Sequence, residues 1–168
     1  MNRPIESPTL AADPRLETLY RRPGFLIRRA HQIAMDMFIE ACAPVDMTPS
    51  QYGVLYILQH IGPLSQIGVA RLIGLDRSTA ALVVKLLTER GHVMKAPSAL
   101  DARKVEIAIT PAGSQVLKQA AKLANREMKQ LLAPFSESEG QMFLSLLEKF
   151  VAHHNDTTRV SIVGRSDA

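Results

Sequence analysis

The sequence contains one cysteine in 168 residues, and it has no apolar run long enough to cross a bilayer. Cys42 alone cannot form an internal disulfide, which excludes a disulfide-stabilised scaffold and agrees with a reducing compartment. Arg, Lys, His or Gln interrupts every apolar stretch before it reaches the roughly 20 residues that a membrane helix needs. The first residues also lack the apolar core of a secretory signal. We therefore expect a cytoplasmic protein without a membrane partner.

Patterns typical of catalysis and metal binding are missing as well. No Ser-His-Asp set, glycine-rich phosphate loop or pair of carboxylates stands out. The five histidines do not have metal-ligand spacing with Cys or Asp. Cys42 lies among apolar neighbours, which favours a structural thiol over a redox sensor. We therefore expect no enzyme, no cofactor and no metal site.

The positive charge is concentrated in one part of the chain. Hydrophobic residues make up 46% and charged residues 21%, which indicates a globular protein, and the formal net charge is +4. From Arg71 to Glu106 there are seven basic and four acidic residues, so this segment alone carries a formal net charge of +3. The segment is therefore where an acidic partner would be expected to bind.

Helical periodicity and capping signals divide the chain. We predict flexible ends at residues 1–22 and 155–168. Apolar residues at helical spacing predict two helices within residues 23–62. Thr48-Pro49 marks the start of the second helix, and Gly62-Pro63 marks its end. A short helix from about Ser65 to Ile73, a tight turn at Gly74 and a helix from Arg77 to Arg90 capped by Asp76 then form a helix-turn-helix.

Two short strands and two long helices are predicted after this pair. The segments "HVMKA" and "KVEIAIT" alternate polar and apolar residues on either side of the loop "PSALDAR", which indicates a hairpin. Thr110-Pro111 starts a long helix, and the capping-box spacing of Ser136 and Glu139 starts another that runs to about His154. The predicted fold is mainly α, with a two-stranded β wing.

The helix after Asp76 is amphipathic. Ala80, Val83, Val84 and Leu87 fall on one side of a helical plot. The opposite side carries small and basic residues, as is required for close approach to a nucleic-acid groove. Any surface helix has a polar face, but a preceding short helix and a following basic hairpin favour a winged helix-turn-helix that binds DNA.

The stretches "LDRSTAALVVKLLTERG" and "DARKVEIAITPAG" resemble the MarR (multiple antibiotic resistance regulator) family of winged-helix transcription factors. The resemblance covers roughly residues 25–154. It implies a homodimer whose N- and C-terminal helices interleave and whose two winged helices bind a palindrome on double-stranded DNA. By this scheme residues 23–62 form dimerisation and ligand-pocket helices, residues 63–110 the DNA-binding domain and residues 111–154 the C-terminal dimerisation helices.

The resemblance also implies which side chains contact DNA. Arg103 on the wing would enter the minor groove, with Asp101 holding it in place. Leu82 stands where many members of the family carry a basic residue, so it could offer only an apolar contact. The complete expected set is Arg77, Ser78, Thr79, Ala81, Leu82 and Lys85 on the recognition helix, with Asp101, Arg103 and Lys104 on the wing.

The family resemblance implies a small-molecule effector too. Members that respond to aromatic acids or their coenzyme A thioesters have a similar first helix, and a cationic residue would suit a carboxylate. The expected lining residues are Phe25, Arg28, Arg29, His31, Met35, Tyr52 and Tyr56. The predicted function is a repressor released from DNA by a small aromatic or phenolic acid or its coenzyme A thioester. The alternative is a helical protein-protein adaptor without DNA affinity.

Overall fold

The structure is a computed structural model that describes residues 14–98, 101 and 103–162. Two compact units divide the chain, Met1–Met37 and Phe38–Ala168. The α-helices are α1 (Pro14–Tyr20), α2 (Pro23–Ala41), α3 (Pro49–Ile61), α4 (Gln66–Ile73), α5 (Arg77–Glu89), α6 (Pro111–Leu131) and α7 (Glu137–His154). The strands are β1 (Val93–Pro97) and β2 (Val105–Ile109), and short 3-10 helices occupy Ala43–Val45 and Asn155–Thr157. The predicted mainly helical fold with a two-stranded wing is confirmed.

Side-chain caps explain where the helices begin. A polar side chain one residue before the first turn accepts hydrogen bonds from backbone N–H groups that have no partner within the helix. The caps are Thr48 for α3, Ser65 for α4, Asp76 for α5, Thr110 for α6 and Ser136 for α7. The sequence indicates four of these, Thr48, Asp76, Thr110 and Ser136, as capping residues, whereas it predicts Ser65 as the first residue of the short helix. Gly74 adopts a φ of 73° at the end of α4, a left-handed conformation that glycine allows without strain.

The core of the second unit lies where α3, α5, the strands and α6 meet. The largest side chains with almost no exposure are Leu55 and Leu58 of α3, Leu87 of α5 and Ile107 of β2. Burying each of these stabilises the fold by about 1.5–3 kcal/mol relative to exposure. The core therefore fixes the winged helix from the side opposite to its exposed polar face.

The wing is an antiparallel pair with one further contact. Val93 pairs with Ile109 and Pro97 with Val105, so the register is continuous over five residue pairs. Leu64, which precedes α4, forms an isolated bridge to Ile107: the Leu64 N–H donates to the Ile107 carbonyl at 3.1 Å, and the Ile107 N–H donates back at 2.7 Å. This bridge ties the base of the wing to the start of the helix-turn-helix.

Both predicted flexible ends contain residues for which the structure gives helices or hydrogen bonds. Residues 14–20 form α1, whereas residues 1–13 lie outside the described part of the chain. At the other end, the Asn155 side chain accepts from the Ile162 N–H at 2.9 Å and donates to its carbonyl at 3.1 Å. Asn155 thus closes the segment back on itself as far as Ile162, and the flexibility of residues 155–168 stays a prediction; residues 163–168 are not described.

Two helices expose apolar side chains. On α7 the residues with 38% or more of their surface exposed include Met142, Phe143, Leu144, Leu146, Leu147 and Phe150. On α2 no residue is buried, and Leu26, Ile27, Ile33 and Ile39 are all more than 40% exposed. Exposed apolar faces of this size are typical of surfaces that another protein covers. Among the described helices none is long and apolar enough to span a membrane.

Candidate nucleic-acid interface

Helix α5 presents one face to the core and one to solvent. Ala80, Val83, Val84 and Leu87 are buried, as the helical plot predicts. Leu82 lies on the other face with 56% of its surface exposed. An exposed leucine between small residues gains little by packing within the chain, so its outward position leaves it available to a partner.

The first turn of α5 is organised around the Asp76 carboxylate. Oδ1 accepts hydrogen bonds from the backbone N–H groups of Ser78 and Thr79 at 3.0 and 2.9 Å, and also from the Ser78 hydroxyl. Oδ2 accepts from the Thr79 hydroxyl at 2.6 Å. These hydrogen bonds hold the pKa of Asp76 well below its usual range, the side-chain bonds from Ser78 and Thr79 contributing most.

The cap occupies the hydroxyl hydrogens of Ser78 and Thr79, which limits the hydrogen bonds that these residues can make with DNA. A serine hydroxyl can donate a hydrogen bond to DNA, but the hydroxyl hydrogen of Ser78 is directed at Asp76. Thr79 is only half-exposed and uses its hydroxyl in the same way. Both oxygens keep lone pairs that can accept a hydrogen bond, for example from a base amino group.

Lysine side chains flank a small cavity beside α5. Lys85 lies 3.8 Å from Glu89 in an exposed i, i+4 pair, a contact that salt screens readily. Lys85 and Lys95 line a cavity of about 180 Å³ together with Gln66 and Ala81. The predicted interface omits Lys95; the alternation of β1 identifies its strand, but only the fold places it beside the helix.

The wing loop is built on hydrogen bonds to Asp101. Its Oδ1 accepts a hydrogen bond from the backbone N–H of Arg103 at 3.1 Å, and its backbone carbonyl accepts from the Lys104 N–H at 2.8 Å. Its Oδ2 lies 3.9 Å from the Lys104 ammonium. Asp101 therefore holds the backbone at Arg103, while the exposed guanidinium of Arg103 has no partner among the residues described.

The junction between α5, the wing and α6 is tightly packed. The His92 carbonyl accepts hydrogen bonds from the Thr110 N–H at 3.0 Å and the Thr110 hydroxyl at 3.1 Å, and that hydroxyl also donates to the Gly91 carbonyl at 2.7 Å. A Cβ atom at Gly113 would lie 2.1 Å from the same His92 oxygen. Only glycine allows this approach, so Gly113 fixes α6 against the end of the recognition helix.

Five of the residues expected to bind the effector belong to the first unit. The Arg28 guanidinium lies 4.9 Å from the centre of the Phe25 ring and donates to Gln32 Oε1 at 2.9 Å. Arg29 makes a longer hydrogen bond to the same oxygen at 3.5 Å. His31 is exposed and Met35 half-exposed. Of these five residues, Phe25 and Arg28 form a direct cation–π pair.

The two tyrosines of the expected effector site belong to the second unit. The Tyr52 ring lies 6.0 Å from that of Tyr56 and packs edge-on against Phe38 at 5.7 Å. Burial raises the pKa of Tyr52, with smaller contributions from Tyr56 and Cys42. Cavities of about 350, 230 and 180 Å³ in the second unit are lined by residues outside the expected set. The effector site stays a prediction.

The Cys42 thiol is fully buried. Burial, and to a smaller extent the nearby Glu127, raises its pKa, which keeps it in the protonated, unreactive form. Within residues 14–98, 101 and 103–162 no group of three His, Cys, Asp or Glu side chains could hold a metal ion.

An exposed, capped helix beside a basic hairpin defines a winged helix-turn-helix protein of the DNA-binding class. The sequence model of the MarR family matches residues 45–104, from the turn before α3 to the wing. The transcriptional regulator PcaV of Streptomyces coelicolor is 31% identical, covers 82% of this chain and 99% of its own, and superimposes with a TM-score of 0.69. The chain belongs to the MarR family of transcriptional regulators.

Two further relatives support the assignment. CouR of Rhodococcus jostii, a transcriptional repressor solved on a 23-mer DNA duplex, is 26% identical, covers 81% of this chain and 96% of its own, and has a TM-score of 0.75. The transcriptional repressor NicR of Pseudomonas putida is 27% identical over 128 residues, which are 76% of this chain and 81% of that protein. These are transcriptional regulators and not enzymes, which favours the regulator over the adaptor hypothesis.

Proposed function

We propose that the protein is a homodimeric repressor that binds a palindromic operator and is released by a small aromatic acid or its coenzyme A thioester. The observation that carries the DNA-binding part is the pairing of two exposed basic elements on one winged helix. The recognition helix α5 exposes Arg77, Leu82 and Lys85, and the wing exposes Arg103, whose guanidinium has no partner in the part of the chain that the structure describes. CouR, a relative with the same fold, has been solved on a DNA duplex and is a repressor.

Each basic group has a physical role in this proposal. Arg77 and Lys85 approach the major groove with α5, where the positive end of the helix dipole also favours phosphate. Arg103 enters the minor groove, because the backbone around it is held by Asp101 while its guanidinium is free to move outward. Lys104 neutralises a phosphate next to it. Thr79 and Ala81 allow the helix to approach closely.

Dimerisation is supported by the apolar surfaces of α2 and α7. The exposed leucines and phenylalanines on α7, together with Met142, would be costly to leave in water, and a second copy of the chain would cover them. The two winged helices of such a dimer can contact half-sites about one helical turn apart. Sedimentation at micromolar concentration should give a mass of two chains.

The effector part of the proposal is supported by relatives and by composition. PcaV has been solved with its natural ligand at 30% identity to this chain. The first unit offers the cations Arg28 and Arg29, the rings of Phe25 and His31 and the apolar Met35, and the second unit offers the rings of Tyr52 and Tyr56. An effector that favours one dimer geometry would change the separation of the recognition helices and so lower the affinity for the operator.

The DNA-binding part is tested by Arg103→Ala in a titration with operator duplex at fixed salt. Operator affinity should fall at least about tenfold, because a minor-groove contact is lost in each protomer. Arg126→Ala, on the exposed surface of α6, is the matched control and should keep wild-type affinity. Wild-type affinity in the Arg103 variant would contradict the wing assignment. A salt-independent affinity of the wild type would contradict DNA binding itself and support an adaptor.

The effector part is tested by calorimetric titration with small aromatic acids and with their coenzyme A thioesters. At least one class should release heat and lower the operator affinity. Absence of heat with either class, in a preparation that still binds DNA, would contradict this part alone.

A further inference from the structure

Three arginines from three different elements surround one cavity beside the recognition helix. Arg71 lies near the end of α4, Arg77 is the first residue of α5, and Arg159 follows the last 3-10 helix. They line a cavity of about 350 Å³ whose other walls include Ala70, Leu75 and Val160. All three are exposed, and none has a hydrogen-bond or ion-pair partner among the residues that the structure describes.

The C-terminal segment that carries Arg159 is held in place. Asn155 is 93% buried and binds both backbone groups of Ile162. The Thr158 hydroxyl lies within 2.8 Å of the Asn155 carbonyl and 2.9 Å of the Val160 carbonyl. Ile162 in turn packs against Gly74, where an added Cβ would lie 3.0 Å from its Cγ1. The turn between α4 and α5 therefore supports the segment that brings Arg159 next to Arg77.

The charge of the cavity favours an anion. Asp76 is the acidic residue in its lining, so three positive charges face one negative charge. That carboxylate is already occupied by four hydrogen bonds from the first turn of α5. It is therefore not free to pair with the arginines, whose forked donors suit phosphate oxygens.

We propose that this cavity, formed by Arg71, Arg77 and Arg159, binds the phosphate backbone of the operator next to the groove that α5 enters. The inference rests on the proposed DNA-binding function and extends it to the C-terminal segment. Arg77 belongs to both surfaces, so a duplex that receives α5 in its major groove brings a backbone strand to the N-terminal end of that helix. Arg71 and Arg159 then contribute affinity without reading bases.

The test compares Arg159→Gln with the wild type in operator titrations at several salt concentrations. Each phosphate contact contributes about 0.9 to the slope of log affinity against log salt. The loss of one contact in each protomer should therefore lower the slope of the dimer by about 1.8. At 0.1 M salt this corresponds to a loss of at most roughly 60-fold. The loss should be similar for operator and for random duplex, because phosphate contacts carry no base information.

Three controls separate this effect from other causes. Arg126→Gln removes the same charge from α6 and should leave the salt slope within about 0.3 of the wild-type value. Arg159→Lys should recover most of the slope that Arg159→Gln loses. Asn155→Ala keeps every arginine but releases the C-terminal segment. It should lower the operator affinity and change the salt slope less than Arg159→Gln does. Melting temperatures of all variants identify any loss caused by unfolding.

The outcomes are distinct. If the wild type does not bind DNA, the proposed function fails. If the wild type binds and Arg159→Gln has an unchanged slope and affinity, only this inference is refuted. Unchanged DNA affinity with a lost response to a coenzyme A thioester would assign the three arginines to phosphates of the effector instead, and would overturn the proposal equally.

Discussion

The contact of Gly113 with His92 allows a quantitative prediction for the junction of recognition helix, wing and α6. In Gly113→Ala the new Cβ would meet the His92 carbonyl oxygen at 2.1 Å and the Cγ1 of Ile109 at 2.9 Å. The first of these is a backbone atom, so no rotation of a side chain can relieve it. Either α6 or the turn after α5 must move by about 1 Å.

That movement disrupts hydrogen bonds that share the same oxygen. The Thr110 N–H and hydroxyl both donate to the His92 carbonyl. Each such bond contributes about 1 kcal/mol, and overpacking of a tight site costs about 1–3 kcal/mol more. We expect Gly113→Ala to lower the free energy of unfolding by about 3–5 kcal/mol. For a domain of this size the melting temperature should fall by roughly 6–20 °C.

Gly140→Ala is the matched control. Gly140 also lies buried in the first turns of a long helix, but there an added Cβ meets only the Cβ of Phe135 at 3.9 Å, an ordinary contact. Alanine is a better helix former than glycine, so this variant should be as stable as the wild type or up to about 1 kcal/mol more stable. Both are measured by urea titration followed by circular dichroism. A Gly113 variant within 1 kcal/mol of the wild type would refute the argument from close packing.

Two other predictions concern pH and sequence preference. Burial, with Arg90 nearby, lowers the pKa of His92, whose Nδ1 is buried without a hydrogen-bond partner in the described chain. The stabilisation from neutral His92 is complete above the unfolded-state pKa of about 6.5 and is lost as the pH falls through the lower folded-state pKa. The free energy of unfolding should therefore decrease below about pH 6.5, and less steeply in His92→Gln; equal slopes would count against this. Leu82→Ala should keep stability within about 0.5 kcal/mol because the side chain is exposed, yet binding-site selection should show relaxed preference at one position of each half-site. An unchanged selected sequence would mean that Leu82 makes no base contact.

Local signals made the winged helix predictable. Each of Thr48, Ser65, Asp76, Thr110 and Ser136 caps a helix through atoms within three residues of itself, so the interaction is contained in a short stretch of sequence. The buried face of α5 followed from periodicity, because a helix that packs on one side must repeat its apolar residues every three to four positions.

Contacts between residues far apart in the chain could not be predicted from these local signals. The loop sequence suggests that Asp101 and Arg103 interact, but whether the carboxylate holds the guanidinium or the backbone depends on the turn geometry. Leu64 bridges to Ile107 across 43 positions, and no pattern in either segment indicates it. The seven expected effector residues divide between two units, and that part of the site is still a prediction.

The C-terminal segment shows most clearly which features follow from the sequence and which follow only from the tertiary structure. By itself the sequence determined a basic, amphipathic helix-turn-helix with a wing, because periodicity, caps and charge are properties of neighbouring residues. Only the tertiary structure placed Ile162 against Gly74 and Arg159 beside Arg71 and Arg77. That placement depends on buried hydrogen bonds made by Asn155 to a residue seven positions away, and on the packing of the segment against a helix more than 80 residues earlier in the chain.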